Sequence, residues 1–552
     1  MGANQSNLSN TGYDYVVAVT QDSINASLEQ YLYQGLPEVT LCYTYDANNN
    51  PVATDFATLV ANAGNTNPFD VPDGTASSDP RVQNLNNAAF AFAIKARLGV
   101  PPKVKNLPPI LALNPGQSNV TYTLMFAEFM ATELVFGPRE SITWVNQSQP
   151  SGTSWTFSGA VDLNFQDTSF TTLPSGVQAR LKDPGDFSVQ QLYYDLNSSD
   201  LEQGFQFSNV PSNSALNTFM TADFIDTYWK HLGTGAEVLG YGAQQVAGNP
   251  GPLAVTDVNF FTPDAVGGNG APLTLNYLCA ANGDPLPDTT HAGFGWNWVD
   301  AGEVSQYDGV AALNRNTLAR YLDGVAPPGC DSLASYVPQN CFTPWVKVTY
   351  EGGIEIEVDY SWNMTGGQAP TVTYPATGST ILSYSYQSPT AEDDAGLDGS
   401  AGEMKLSSSF NLDVSVEGNQ LVIVQHLVVW TYTRYLATSA SGNIVDKQIT
   451  DTYTIGVDDH GQLAVSLQSS VPVDHSETPG ANGFLNFWAD VNSLASDVKT
   501  WAQNFAATSL HDIPVSLVQD FVFPGGGTFS FLDAKFSDNQ DLVSHITYAD
   551  VS

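Results

Sequence analysis

In the stretch 352–362, apolar and polar residues alternate without a break from Ile354 on. Ile354, Ile356, Val358, Tyr360 and Trp362 fall on one side, and Glu355, Glu357, Asp359 and Ser361 on the other. A period of two predicts a β-strand with one wet face. The same period runs through 410–416, turns at 417–420, and returns as a long apolar strand, a predicted hairpin whose Gly418 and Asn419 tolerate left-handed backbone. Between 483 and 505 the period changes: Phe484, Trp488, Val491, Leu494, Val498, Trp501 and Phe505 recur every three or four residues, opposite Asp490, Ser493, Asp497 and Thr500. That spacing predicts an amphipathic helix whose aromatic stripe is about 30 Å long at 1.5 Å per residue. A shorter counterpart at 219–232 puts Phe219, Phe224, Tyr228, Trp229 and Leu232 on its apolar side and ends at Gly233. Phe294, Trp296 and Trp298 also alternate, predicting a strand with one aromatic face, either core or the wall of a ligand site.

The chain says two things twice. YDYVVAVTQDSINASL (13–28) lies over YDGVAALNRNTLARYL (307–322) without a gap, with Tyr13/Tyr307, Asp14/Asp308, Val16/Val310, Ala18/Ala312 and Leu28/Leu322 identical. In both, a short apolar segment runs into an Asp or Asn able to cap free amides, Asp22 and Asn316, and a helix is expected to follow. LAVTDVNF (253–260) lies over FSFLDAKF (529–536), sharing Asp257/Asp533 and Phe260/Phe536, and each is followed by a further strand. Repeats in the same order predict two similar modules, 1–300 and 301–552. The expected fold class is α+β, each module being a strongly curved antiparallel β-sheet wrapped around a long amphipathic helix.

Charge narrows the partners. Fifty-six acidic against 17 basic residues give a formal net charge of −39, although charged residues make up only 13% of the chain. Nucleic acid is excluded as a partner because its binding rests on Lys and Arg at phosphates. No apolar run approaches the roughly 18 residues that read as a membrane-spanning helix. Four cysteines are too few for a disulfide scaffold. Cys330 and Cys341 flank a short loop and form a candidate disulfide, while Cys42 and Cys279 read as buried thiols. The opening MGANQS has no apolar core of a secretory signal, so a cytoplasmic or non-classically exported protein is expected. It also matches the acylation pattern at Gly2, without the basic cluster that usually accompanies it.

Candidate chemistry is sparse. The seven histidines are scattered without metal spacing, and no nucleophile elbow, phosphate loop or dinucleotide fingerprint is present. The acidic stretch 393–403 fails the EF-hand register and reads as a solvated loop. His426, among apolar neighbours, reads as a satisfied buried histidine. No catalytic residue, metal site or cofactor is assigned, and an enzyme is not the expected reading.

The opening segment 13–28 and the closing FPGGGTFSFLDAKFSDNQDLVSHITY (523–548) resemble the tubular lipid-binding (TULIP) superfamily, and more closely the accessory proteins encoded beside clostridial neurotoxins and their bacterial and fungal relatives. The resemblance implies long helices wrapped by curved sheets and binding of a lipid or other elongated hydrophobic molecule. Its motifs are structural, so no active-site residue carries over. Phosphoinositide binding, implied for some members, conflicts with the scarcity of basic residues. On this reading Phe484, Trp488, Val491, Leu494, Val498, Trp501, Phe505, Phe224, Tyr228 and Trp229 line the cavity. Two alternatives stay open: a toxin-accessory or protein–protein assembly module in which the aromatic helices are core, and an enzyme with a polar pair buried near His231 or His426.

Overall fold

Tyr15–Thr20 (β1) presents a buried side chain at every position, which only a strand covered on both faces can do. This computed structural model describes residues 2–33, 36–137, 142–168, 187–195, 201–208, 210–232, 238–245, 255–267, 270–287, 293–324, 332–352, 355–363, 369–395, 402–435, 438–457, 463–477, 521–522 and 528–549. Shorter elements aside, β1 leads into Gln21–Tyr33 (α1), then Val39–Tyr45 (β2), Phe90–Leu98 (β3), Leu111–Leu113 (β4), Asn119–Phe136 (β5) and Thr156–Thr168 (β6). Ala215–Ala222 (α2) and Phe224–Leu232 (α3) precede Val255–Phe261 (β7) and Thr274–Ala281 (β8). The segment matching the opening forms Gly309–Leu313 (β9) and Arg315–Gly324 (α4). It is followed by Thr343–Gly352 (β10), Glu355–Asn363 (β11), Thr380–Gln387 (β12), Glu403–Glu417 (β13), Gln420–Tyr435 (β14), Thr438–Val457 (β15) and Leu463–Asp474 (β16). Thr528–Phe531 (β17) and Leu542–Ala549 (β18) come last.

The matching openings meet. Four antiparallel strands run in the order β8, β1, β9, β18 through the centre of the molecule. The β1–β9 register sets Val17 opposite Ala311, and these are also the same position in the aligned sequences. Backbone bonds around that point come in matched pairs. Thr20 N donates to Asp308 O and Asn314 N donates to Asp14 O, both at 2.9 Å. Asp14 N donates to Cys279 O at 3.1 Å, and Asp308 N donates to Ile546 O at 3.0 Å. Glycine is required at 309, where a β-carbon would stand 2.2 Å from the Ala18 carbonyl oxygen. The helix caps differ from expectation by two positions. Thr20 Oγ1 accepts from Ser23 N at 3.2 Å and Asn314 Oδ1 from Asn316 N at 2.8 Å, because both helices start directly at the strand end and leave Asp22 and Asn316 inside the first turn.

The two faces of the central sheet bury against different cores. Tyr15, Val17 and Val19 point into one large core that also holds Phe126 and Tyr228 of the first half and Phe410 and Tyr453 of the second. Val16, Ala18, Val310, Ala312 and Val543 point the other way, against Phe294, Trp296 and Trp298. Those three aromatics were expected on a strand. They lie instead on an irregular strap, and all three bury together, with ring centroids 5.0–5.4 Å apart. The three side chains still share one side, as alternate residues of an extended segment do, and that side is core.

In the first half β5 changes partners along its length, pairing β6 over 119–125 and β3 over 126–133, so one strand serves two stretches of sheet. In the second half β12 to β16 form an antiparallel meander. The expected hairpin is there: β13 and β14 alternate between buried and half-buried positions, and Glu417 pairs Gln420 across Gly418, whose φ is +62°. The strand expected within 352–362 is β11, paired with β10. The helix expected over 219–232 is broken into α2 and α3 at Asp223. Asp223 N closes the first helix on Phe219 O at 2.9 Å, and its carbonyl accepts from Thr227 N at 3.0 Å to open the second. The longer helix expected over 483–505 lies outside the described residues.

Candidate functional site beside the first helix

Helix α1 buries Ile24, Leu28 and Leu32 in the large core, which turns its polar positions toward the segment that precedes β4 and toward β4 itself. Two amide side chains fasten it there. Asn25 Oδ1 accepts from Leu111 N at 2.8 Å while its Nδ2 donates to Leu111 O at 2.7 Å, and Gln21 Oε1 accepts from Leu113 N at 2.7 Å. The side chains thus pair with a strand edge as a neighbouring strand would. Ile110 is locked in turn, its carbonyl accepting from Thr123 N at 2.7 Å.

A cleft of about 510 Å³ opens between these parts. One wall is polar, from Gln21, Asp22, Asn25 and Glu29 of α1, with Ala26 between them. The other is apolar, from Leu107, Pro108, Pro109, Ile110 and Met125. Ile110 and Met125 are buried members of the large core, so the floor of the cleft is the outer skin of that core. The wall made by α1 extends from Asp22 to Glu29, about 10 Å along the helix axis. Among the described residues two carboxylates and no basic side chain line it. The volume falls in the roughly 300–1,000 Å³ range of small-molecule sites.

The aromatic residues expected to line a cavity have a different setting. Phe224 and Tyr228 are each 1% exposed. Phe224 packs on Phe126, Phe129 and Phe157 with centroids 5.4–6.1 Å apart, and Tyr228 meets Phe126 edge-on at 5.7 Å. The Tyr228 hydroxyl accepts from Leu98 N at 3.0 Å, and burial pushes its phenol well above the ordinary range. Trp229 is half-buried at the rim of this cluster. Glu133 anchors the helix pair: its Oε1 accepts from Leu216 N at 3.0 Å at the start of α2, and burial raises its carboxyl against that bond. Phe484, Trp488, Val491, Leu494, Val498, Trp501 and Phe505 lie outside the described residues.

Other expected positions are as follows. His231 is exposed, its Nδ1 2.8 Å from Thr227 O. His426 is not buried: its side chain is 36% exposed on the outer face of β14, with Nε2 2.8 Å from Asp446 Oδ1. The strand alternates, and 426 falls on the outward parity that apolar neighbours had masked. Neither histidine is part of a buried polar pair. Cys341 is buried, its Sγ 3.2 Å from Val337 O, and burial pushes its thiol up to about 12; Cys330 lies outside the described residues. Cys42 and Cys279 are buried free thiols, as read from the sequence. Gly2 packs against the Asp300 carboxylate. Among the described residues no group of three or more His, Cys, Asp or Glu is placed to hold a metal, and no helix is long and apolar enough to cross a membrane.

Sequence reasoning missed the cleft. Its walls come from α1, from 107–110 and from Met125, and its polar positions read as an ordinary solvated helix face. The one local signal was Pro108-Pro109 between two apolar residues, a rigid extended wall.

No protein-family model matches the chain, and no curated protein sequence matches it. Among solved structures it is similar to P47 from Clostridium botulinum A2, at 10% identity and a TM-score of 0.43, over 97% of each chain. It is similar to P47 of Clostridium botulinum E1 at 11% identity and a TM-score of 0.41, over 97% of this chain and 98% of that one. A lipopolysaccharide binding protein is similar at 9% identity and a TM-score of 0.26, over 97% of this chain and 99% of that one. All three likenesses are low in identity and in TM-score, and they fit the expected relationship only loosely.

Proposed function

We propose that this protein binds an elongated hydrophobic or amphiphilic small molecule, a lipid in the broad sense, and carries or sequesters it without converting it. The observation that carries the reading is the cleft beside α1. It has the volume of a small-molecule site, one wall apolar and continuous with the core, and the other polar and fixed by side-chain bonds to a strand edge. An amphiphile lying along α1 would cover the 107–110 wall with its hydrocarbon and keep its polar atoms toward the helix. We further propose that the halves are two similar modules of the tubular lipid-binding kind, a reading supported by the β1–β9 register, which is centred on the equivalent residues Val17 and Ala311.

The test begins with organic extraction of purified protein and mass spectrometry against a matched blank. A stoichiometric hydrophobic compound is the expected result. The variant Ala26→Trp places a large ring in the cleft from an exposed helix position and is expected to lose the compound while unfolding like the parent. Equal recovery from folded Ala26→Trp would move the site elsewhere.

A second reading, assembly on a protein partner, is favoured by one observation. Strand β16 leaves Val471 and Val473, neighbours on one face, 51% and 36% exposed. Val471→Lys would weaken such an assembly, read as a change in sedimentation with the partner present, and would leave small-molecule recovery unchanged.

A further inference from the structure

We infer that the molecule held beside α1 carries a cationic head, an ammonium or amidinium group, seated at Glu29, with its hydrocarbon part against Leu107 and Ile110. This rests on the cleft being a binding site, as proposed above.

The inference comes from comparing the same place in the two halves. Position 29 on α1 aligns with Asp323 on α4, and both residues are half-buried. Asp323 is fully engaged: the hydroxyls of Tyr374, at 3.0 Å, and Tyr384 both donate to its carboxylate. The surroundings there are filled as well. Arg315, which aligns with Gln21, donates through its guanidinium to the carbonyls of Pro375, Gly378 and Thr380 at 2.7–3.0 Å, which draws the segment 375–380 onto the helix. In the first half no such segment closes over the helix among the described residues. Gln21 turns to Leu113 instead, the space is a cleft of about 510 Å³, and the Glu29 carboxylate has no donor among the described residues. The second half thus shows what a carboxylate at this position takes, hydrogen-bond donors from groups packed against the helix. The first half offers the carboxylate and leaves room for the donor to come from outside.

The sign of the donor follows from the lining. Asp22 and Glu29 are the only charged groups among the described residues that line the cleft. An anionic head would be repelled by both, and a neutral head would leave one carboxylate facing an apolar wall. The two carboxylates are not equivalent. Asp22 lies in the first turn of α1, where the helix N-terminus already offsets its charge. Glu29 lies two turns further on, beyond that compensation, and is the better seat for a cation.

The experiment uses the full-length protein and three single-chain probes below their micelle concentrations: dodecylammonium, dodecanoate and monolauroylglycerol. Affinity and stoichiometry are read by calorimetry for the parent, Ala26→Trp, Asp22→Asn and Glu29→Gln. A chain carrying a net charge of −39 attracts any cation diffusely, but that attraction fades with salt and is indifferent to one carboxylate. The expected result is one dodecylammonium per chain, bound at least about tenfold more tightly than either other probe, with Glu29→Gln losing about five- to tenfold for dodecylammonium alone. Asp22→Asn is expected to lose less, and Ala26→Trp to abolish the site. If all three probes bind alike and Ala26→Trp abolishes them all, the cationic head is wrong and the cleft stands. If binding is the same in Ala26→Trp as in the parent, the cleft is not the site and both readings fall.

Discussion

His545 shows how much a single residue's role depends on partners that local sequence does not reveal. It is 2% exposed on β18, with Nδ1 2.8 Å from Asp533 Oδ2 and its ring stacked on Tyr307 at 4.0 Å. Asp533 Oδ1 also accepts from the His545 backbone N–H at 2.7 Å. Burial alone would raise the Asp533 carboxyl, but the bonds from His545 outweigh it and hold the group below its ordinary value. A carboxyl whose folded value is depressed contributes stability above its unfolded value, lost as pH falls through the folded one. Asp533→Ala is therefore expected to cost about 1–2 kcal/mol near neutral pH, a figure kept low because the carboxylate is partly in water. The cost should shrink below about pH 4, where the parent loses the same interaction. Denaturant melts at both pH values check this; an equal penalty at each would show that the charge of Asp533 contributes nothing. Asp533 was visible in the sequence as one of the matched positions, yet among the described residues its counterpart Asp257 accepts from the neighbouring Val258 N–H and from no histidine, so the match in letters is not a match in role.

At the scale of elements, legibility followed periodicity. The alternation through β13 and the turn into β14 predicted both strands and the hairpin, because a sheet with one covered face imposes a period of two on every residue, while the apolar run of β14 hid which of its positions face out. At 294–298 the same alternation predicted the shared aromatic face but not the element, which is an irregular strap packed against the back of the central sheet rather than a strand. The helix at 219–232 read correctly as aromatic-faced, but Asp223 prefers a cap to a helix interior and splits it. The cleft was illegible because tertiary packing, not spacing, brings 107–110 to α1. The strap's weight can be measured. Trp298 is 1% exposed and touches Phe294 and Trp296, with ring centroids at 5.0 and 5.4 Å. Trp298→Ala is expected to destabilise by about 3–5 kcal/mol, as large-to-small changes in packed cores do. A loss under about 1 kcal/mol in denaturant melts would mean the strap is a loose cover whose neighbours collapse into the space.

At the scale of the molecule, packing crosses the boundary expected near position 300. β1 of the first half is the hydrogen-bonded neighbour of β9 of the second. Phe294, Trp296 and Trp298 lie on the first side of the boundary, yet they cover Val310, Ala312 and Val543 on the other. Asp541, fully buried near the end of the chain, accepts from Ser6 Oγ and Leu8 N at 2.7 Å and from Arg315 N at 3.1 Å, binding the first residues to the last strand and to the start of α4. Two halves of the chain so joined are expected to share their stability. The full chain is expected to unfold in one transition, with far-ultraviolet dichroism and tryptophan fluorescence giving coincident midpoints. Fragment 301–552 alone would expose one edge of β9 and the apolar back of the central sheet, a surface prone to aggregation. It is expected to be insoluble when expressed alone and to be recovered when co-expressed with 1–300. Two separated transitions, or a soluble fragment with native dichroism, would instead show that each half stands by itself and that the central sheet only docks them.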